Sequence, residues 1–122
     1  FKLHTKFFNK YKSYFILPKQ LPKSRSGWLA YPITIMENAP FSRTQMQIFL
    51  EKKNIQTRVV FTGNILRQPG FKNIKAKKDK KGYPEADKVM RNGILIACHH
   101  GLTKKMTTHL HKCIDEFMSK FI

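Results

Sequence analysis

Ile94-Leu95-Ile96-Ala97-Cys98-His99-His100-Gly101-Leu102-Thr103 is the stretch on which the fold turns. Ile94 to Cys98 is a continuous apolar run, the pattern of a strand covered on both faces. The His-His-Gly turn ends it, and Thr103 is the kind of residue whose hydroxyl caps a following helix. Beyond Thr103, Met106, Leu110, Cys113, Ile114, Phe117, Met118 and Phe121 recur at the helical period and form one apolar stripe. A buried strand followed by a one-faced helix predicts a sheet with helices laid on it.

Reading back toward the start, Pro84 suits the first position of a short helix with Ala86, Val89 and Met90 inward and Gly93 as its stop. From Thr62 to Gly82 no period survives, and about 20 structureless residues in a small domain mark a functional loop. Ile55 to Phe61 alternates, which predicts a strand with Ile55, Thr57, Val59 and Phe61 on one face and Arg58 and Val60 on the other. Ser42 and Gln45 stand at the capping-box spacing. The helix they open has Met46, Phe49 and Leu50 inward and closes near Asn54.

Trp28 to Ile35 alternates as well, placing Leu29, Tyr31, Ile33 and Ile35 inward, with Trp28 in the core. Pro32 removes a ladder hydrogen bond and argues for an edge position. Pro18 and Pro22 make the preceding segment an extended connection after a short strand at Phe15 to Leu17. Phe1 to about Lys12 predicts a helix burying Leu3, Phe7, Phe8 and Tyr11. The expected fold is therefore α/β in the α+β sandwich sense: one small sheet covered by helices.

At 122 residues the chain has room for one core. The crowd of aromatics after Phe1 suggests that its natural partner surface, and the start of its helix, lie further upstream. No apolar run approaches the roughly 20 residues that cross a bilayer, and no secretory leader is visible, so a cytoplasmic location is expected. Lys and Arg number 24 against 7 Asp and Glu, a net charge of +17. Such an excess invites a polyanion, yet much of it lies between Lys72 and Lys81, the composition of a solvated loop. Helix-turn-helix, zinc-finger and RNA-binding sheet patterns are missing, so charge alone speaks for nucleic acid.

Cys98, His99, His100, His109, His111 and Cys113 contain the residue types of a zinc site, but His109 and His111 point to different sides of a helix and Cys113 lies on its core stripe. Neither a metal nor a catalytic residue is assigned. Two stretches do carry binding chemistry. His99-His100-Gly101 sits between a strand and a helix N-terminus, where free N–H groups favour an anion. Phe61 to Phe71 offers Asn64, Arg67 and Gln68 in a loop directly after the strand that carries Arg58. The two guanidiniums can grip phosphate, and the amides can bind sugar hydroxyls.

Gly27-Trp28-Leu29-Ala30-Tyr31-Pro32-Ile33-Thr34, Pro40-Phe41-Ser42-Arg43, Leu50-Glu51-Lys52-Lys53-Asn54-Ile55-Gln56-Thr57-Arg58 and Phe61-Thr62-Gly63-Asn64-Ile65-Leu66-Arg67-Gln68-Pro69 occur in this order. With Asp87-Lys88-Val89-Met90 and Cys98-His99-His100-Gly101-Leu102, the succession resembles the C-terminal domain of the DegT/DnrJ/EryC1/StrS family of pyridoxal-phosphate enzymes. It is most similar to the nucleotide-sugar 3-dehydratases acting on 4-keto-6-deoxyhexoses, and the Gly-Asn-x-x-Arg-Gln-Pro run favours these over the sugar aminotransferases.

The resemblance implies a fold-type I aminotransferase architecture. Residues 1–14 would end the helix leading from a large domain, and residues 15–122 would form the C-terminal small domain, with a mostly antiparallel sheet. It further implies a homodimeric parent that deoxygenates C3 of a nucleotide-diphosphate sugar for lipopolysaccharide or O-antigen. Pyridoxal phosphate, the catalytic base (histidine in the dehydratases, lysine in the aminotransferases) and any 2Fe-2S cluster would lie outside this chain. Arg58, Asn64, Arg67, His99 and His100 match the small-domain segments near substrate.

Overall fold

A computed structural model describes residues 1–122. Helix α1, Lys2–Phe8, runs into a single tighter turn at Asn9–Tyr11, and strand β1, Phe15–Ile16, follows. Then come β2 (Ala30–Ile35), α2 (Arg43–Lys52), β3 (Arg58–Val59), α3 (Pro84–Asn92), β4 (Gly93–Ala97) and α4 (Lys104–Met118). The strands form one sheet in the order β1-β2-β4-β3, and every neighbouring pair is antiparallel. This is the expected helix-covered, antiparallel α+β sheet.

Alternation builds the core. Tyr31, Ile33 and Ile35 of β2 stand opposite Ile96, Ile94 and Phe15 in register, and all six are buried in one apolar cluster with residues of α1, α2 and α4. Phe8 lies flat against Tyr31 at 5.7 Å between ring centroids, and Phe117 of α4 meets Phe41 edge-on at 5.1 Å. β4 buries Ile94 and Ile96, and Cys98 just past its end is buried too, whereas Leu95 and Ala97 on its other face are half-covered. Pro32 pairs with Leu95 of β4, while β1 reaches only Thr34 and Ile35. At Pro32, therefore, β2 has a neighbour on one side only, as its missing N–H requires.

The local signals set the helix ends. Ser42 Oγ accepts from Gln45 N at 3.2 Å and Gln45 Oε1 accepts from Ser42 N at 2.7 Å, the reciprocal pair of a capping box. Thr103 Oγ1 accepts from Met106 N at 3.2 Å, and Asn54 takes the left-handed conformation after α2 at φ 59°.

Six expectations need correction. Leu29 is 81% exposed because the paired strand begins only at Ala30, and Trp28 is half-buried, stacked on Phe1 at 4.2 Å rather than in the core. The strand expected over residues 55–61 shrinks to Arg58–Val59, since only these two pair with β4, and Phe61 turns away at φ 45°, 86% exposed. The loop expected from Thr62 is ordered in its first half, with short turns at Ile65–Arg67 and Pro69–Phe71. Leu3 and Met106 face outward.

On α1 His4, 3% exposed, faces inward together with Phe8. Its Nε2 lies 3.0 Å from the Ala97 carbonyl oxygen, which can only accept, so Nε2 carries the hydrogen. Nδ1 is then the acceptor for Nε2–H of His111, 2.9 Å away. Phe7 stacks on His111 at 3.8 Å. The arrangement needs no proton beyond the one that each neutral ring carries. Burial lowers His4, and burial with the neighbouring His4 ring pushes His111 down to about 4, with Asp115 opposing and Lys10 assisting.

The unfolded chain takes up these protons near pH 6.5, and the folded one does so only at lower pH. The pair's contribution to stability is thus full above pH 6.5 and falls as pH drops below it, the share of His111 levelling off below about 4. Over that window the loss should be on the order of 2 kcal/mol, discounting for partial exposure. Urea unfolding at pH 7 and pH 5, with wild type and His111→Gln, measures it. A midpoint equally pH-dependent in both proteins would remove the pair from the account.

Candidate functional site

Because β3 runs antiparallel to β4, the loop after β3 lies beside the start of β4, whereas His99 and His100 follow its end. Five strand residues and two more separate the two positions, roughly 15–20 Å at 3.3 Å per residue. The five sequence-assigned residues therefore do not form one cluster. Arg58 stands exposed at the sheet edge, opposite Leu95, between the two groups.

Asn64 and Arg67 come together on a residue that sequence reading did not single out for a site role. Asp87 Oδ1 accepts from Asn64 Nδ2 at 2.7 Å and from Arg67 Nε at 3.1 Å, and Oδ2 accepts from Arg67 Nη2 at 2.9 Å. The Arg67 hydrogen bonds, then that of Asn64, hold the Asp87 carboxyl below the usual carboxylate range. Asn64 Oδ1 also accepts from Leu66 N at 3.1 Å, fixing the turn that carries Arg67. Beside this group lies a hollow of about 160 Å³ that Lys78 and Tyr83 help to line.

The loop is pressed onto α3 along its length. Gly63, at φ 61°, lets its backbone meet Met90 so closely that an added Cβ would fall on that residue's Cα and Cβ. Gln68 Nε2 donates to the Thr62 carbonyl at 2.9 Å, tightening the same turn. From the other side Arg43 Nη1 donates to the Met90 carbonyl at 2.6 Å, satisfying an orphan acceptor at the end of α3. The Gly-Asn-x-x-Arg-Gln-Pro run thus reads as a clamp whose side chains have distinct structural tasks.

At the opposite end His99 and His100 are exposed, their rings 6.4 Å apart and nearly perpendicular. His99 Nδ1 accepts from Gly101 N at 3.1 Å, which leaves Nε2 as its outward atom. Both rings border a cleft of about 370 Å³ with Phe1, Trp28 and Leu102. His109 instead contacts the Lys53 carbonyl and His111 packs on α1, so the helical histidines diverge as their spacing requires. No three His, Cys, Asp or Glu side chains are placed to hold a metal together.

Fold and loop together match one set of known proteins. The family model described as "DegT/DnrJ/EryC1/StrS aminotransferase family" matches residues 2–115. The chain belongs to the DegT/DnrJ/EryC1/StrS aminotransferase family. It is 33% identical over 105 residues to the lipopolysaccharide biosynthesis protein RfbH of Salmonella typhimurium, covering 86% of this chain and 23% of that protein. It is 32% identical over 111 residues to dTDP-4-dehydro-2,6-dideoxy-D-glucose 3-dehydratase of Saccharopolyspora spinosa, covering 86% and 22%. The chain thus spans under a quarter of the length of these curated relatives.

The solved structure of Escherichia coli GDP-4-keto-6-deoxy-D-mannose-3-dehydratase with bound hydrated pyridoxal phosphate superposes with a TM-score of 0.75 at 19% identity, over 92% of this chain and 29% of that one. An aminotransferase from Psychrobacter cryohalolentis gives 0.78 at 14% identity, over 95% and 32%. At such identities the likeness speaks for the fold, which is that of one portion of these family members.

The family's cofactor can be tested against the residues present. Pyridoxal phosphate needs an amine for its aldehyde, an acid at its ring nitrogen and donors for its phosphate. The cleft at His99 and His100 has neither lysine nor carboxylate in its wall. The hollow at Arg67 has Lys78 and Asp79 but only about 160 Å³, below the roughly 300–1,000 Å³ of ordinary ligand pockets. These residues do not fit the cofactor by themselves.

Proposed function

We propose that this chain is the small domain of a pyridoxal-phosphate-dependent nucleotide-sugar 3-dehydratase, an enzyme that removes the C3 hydroxyl of a 4-keto-6-deoxyhexose, and that the cofactor and catalytic base are held outside residues 1–122. The observation that carries the reading is the loop at Gly63 to Pro69, clamped on α3 with an exposed guanidinium, in a chain about a third identical to RfbH and to a dTDP-sugar 3-dehydratase. Its task is to bind and orient the sugar nucleotide, not to move protons.

In this reading Arg67 and Asn64 meet the diphosphate and a sugar hydroxyl, and Arg58 adds charge on the approach. His99 and His100, at the far end of β4, border a second surface toward the rest of the protein. The parent is cytoplasmic and homodimeric, and it works in lipopolysaccharide or O-antigen sugar synthesis. A sugar aminotransferase is the second reading, favoured by the equal structural likeness to the Psychrobacter enzyme.

The coding sequence upstream of Phe1 in the natural gene separates them. A cofactor-binding segment with histidine at the position of the catalytic base supports the dehydratase, and lysine there supports the aminotransferase. A gene with no such segment sinks both.

A further inference from the structure

An arginine side chain that must meet a phosphate has several torsions to fix, and fixing them on binding weakens affinity. In this chain the fixing is done beforehand. Asp87 engages the guanidinium in a two-pronged fork through Nε and Nη2 and takes Asn64 Nδ2 on the same carboxylate. The anchor is covered, with the Asp87 side chain 13% exposed, while the Arg67 side chain is 63% exposed. Nη1 has no partner in the chain, so one face of the guanidinium remains free while its opposite edge is held.

We propose that Asp87 is a positioning residue for phosphate recognition, holding Arg67 with its free nitrogen toward the diphosphate of a nucleotide sugar, with Lys78 beside it. This rests on the reading of Arg67 as a phosphate-binding side chain and adds the device that orients it. The same ion pair could merely staple the loop to α3. The two roles differ in the sign of one effect. Neutralising a carboxylate beside an anion site tightens anion binding if the carboxylate is only a neighbouring charge. It weakens binding if the carboxylate is what aims the arginine.

The probes are inorganic pyrophosphate and GDP, titrated at low salt into the 122-residue chain and followed by NMR. Asp87→Asn is expected to weaken both by about two- to tenfold, the cost of ordering one long side chain on binding. Arg67→Lys keeps the charge but cannot form the fork, and it is expected to lose as much. In an Arg67→Ala background, Asp87→Asn should cause no further loss. Thermal melts of each variant report folding, and Arg67→Lys serves if Asp87→Asn loosens the loop.

Equal or tighter binding by Asp87→Asn and by Arg67→Lys, with Arg67→Ala still weak, overturns the positioning role and leaves Arg67 in the site. Unchanged binding by Arg67→Ala, or none by the wild-type chain at millimolar probe, overturns the reading of Arg67 and this inference with it.

Discussion

Phe8→Ala is expected to destabilise the chain by roughly 3–5 kcal/mol, the usual cost of emptying a fully buried aromatic site. Phe8 is 0% exposed, and its ring lies between Phe15 and Tyr31, at 5.6 and 5.7 Å between centroids. The loss would strike where α1 meets the sheet, with Tyr31 Oη donating to Thr5 Oγ1 at 3.1 Å close by. Since small domains are stable by about 5–15 kcal/mol in total, this variant should be unfolded in part at 37 °C. Urea unfolding followed by circular dichroism measures the change. A loss under 1 kcal/mol would mean that α1 is an appendage, not a wall of the core.

Gly63→Ala is expected to cost roughly 2–5 kcal/mol, summing a left-handed backbone penalty of about 1–2 with overpacking of about 1–3. The added methyl falls on the backbone and Cβ of Met90, which cannot swing aside as a side-chain tip would. The loop must therefore lift from α3, drawing Asn64 and Arg67 away from Asp87. The stability loss should come with faster amide exchange from Thr62 to Gln68, while α4 keeps its protection. Unchanged exchange in that loop would show that the close approach is not what holds it.

The parts of this fold legible in the sequence are those whose signal is local and repeated. α4 repeats its apolar period over 15 residues, and five of the seven positions in the stripe are buried. Both caps and the turn at Asn54 follow from side-chain chemistry within three residues. The strand at residues 55–61 misleads because alternation says nothing about which partner is present. β4 offers pairing only to Arg58 and Val59, and beyond them Val60 packs against Gly93 while Phe61 faces solvent. His4 is illegible for a different reason: its partners, Ala97 and His111, lie 93 and 107 residues away.

The site divides along the same line. The glycine, amide and guanidinium of residues 63–67 stand out in sequence as a binding loop. Asp87, which accepts from both Asn64 and Arg67, lies 20 residues beyond Arg67, and its place in the Asp87-Lys88-Val89-Met90 segment does not mark it as their partner. That His99 and His100 belong to the other end of the sheet follows from the antiparallel pairing of β3 with β4. Proximity in a family motif is not proximity in space.

In the proposed parent enzyme this chain recognises substrate while the cofactor is held elsewhere. Incubating the 122-residue chain with one equivalent of pyridoxal phosphate, reducing with borohydride and mapping the modified lysines by mass spectrometry tests it most directly. Scattered, substoichiometric labelling of exposed lysines with no saturated position is the expected result. A single lysine modified to completion at one equivalent would place the cofactor site in this chain and contradict it.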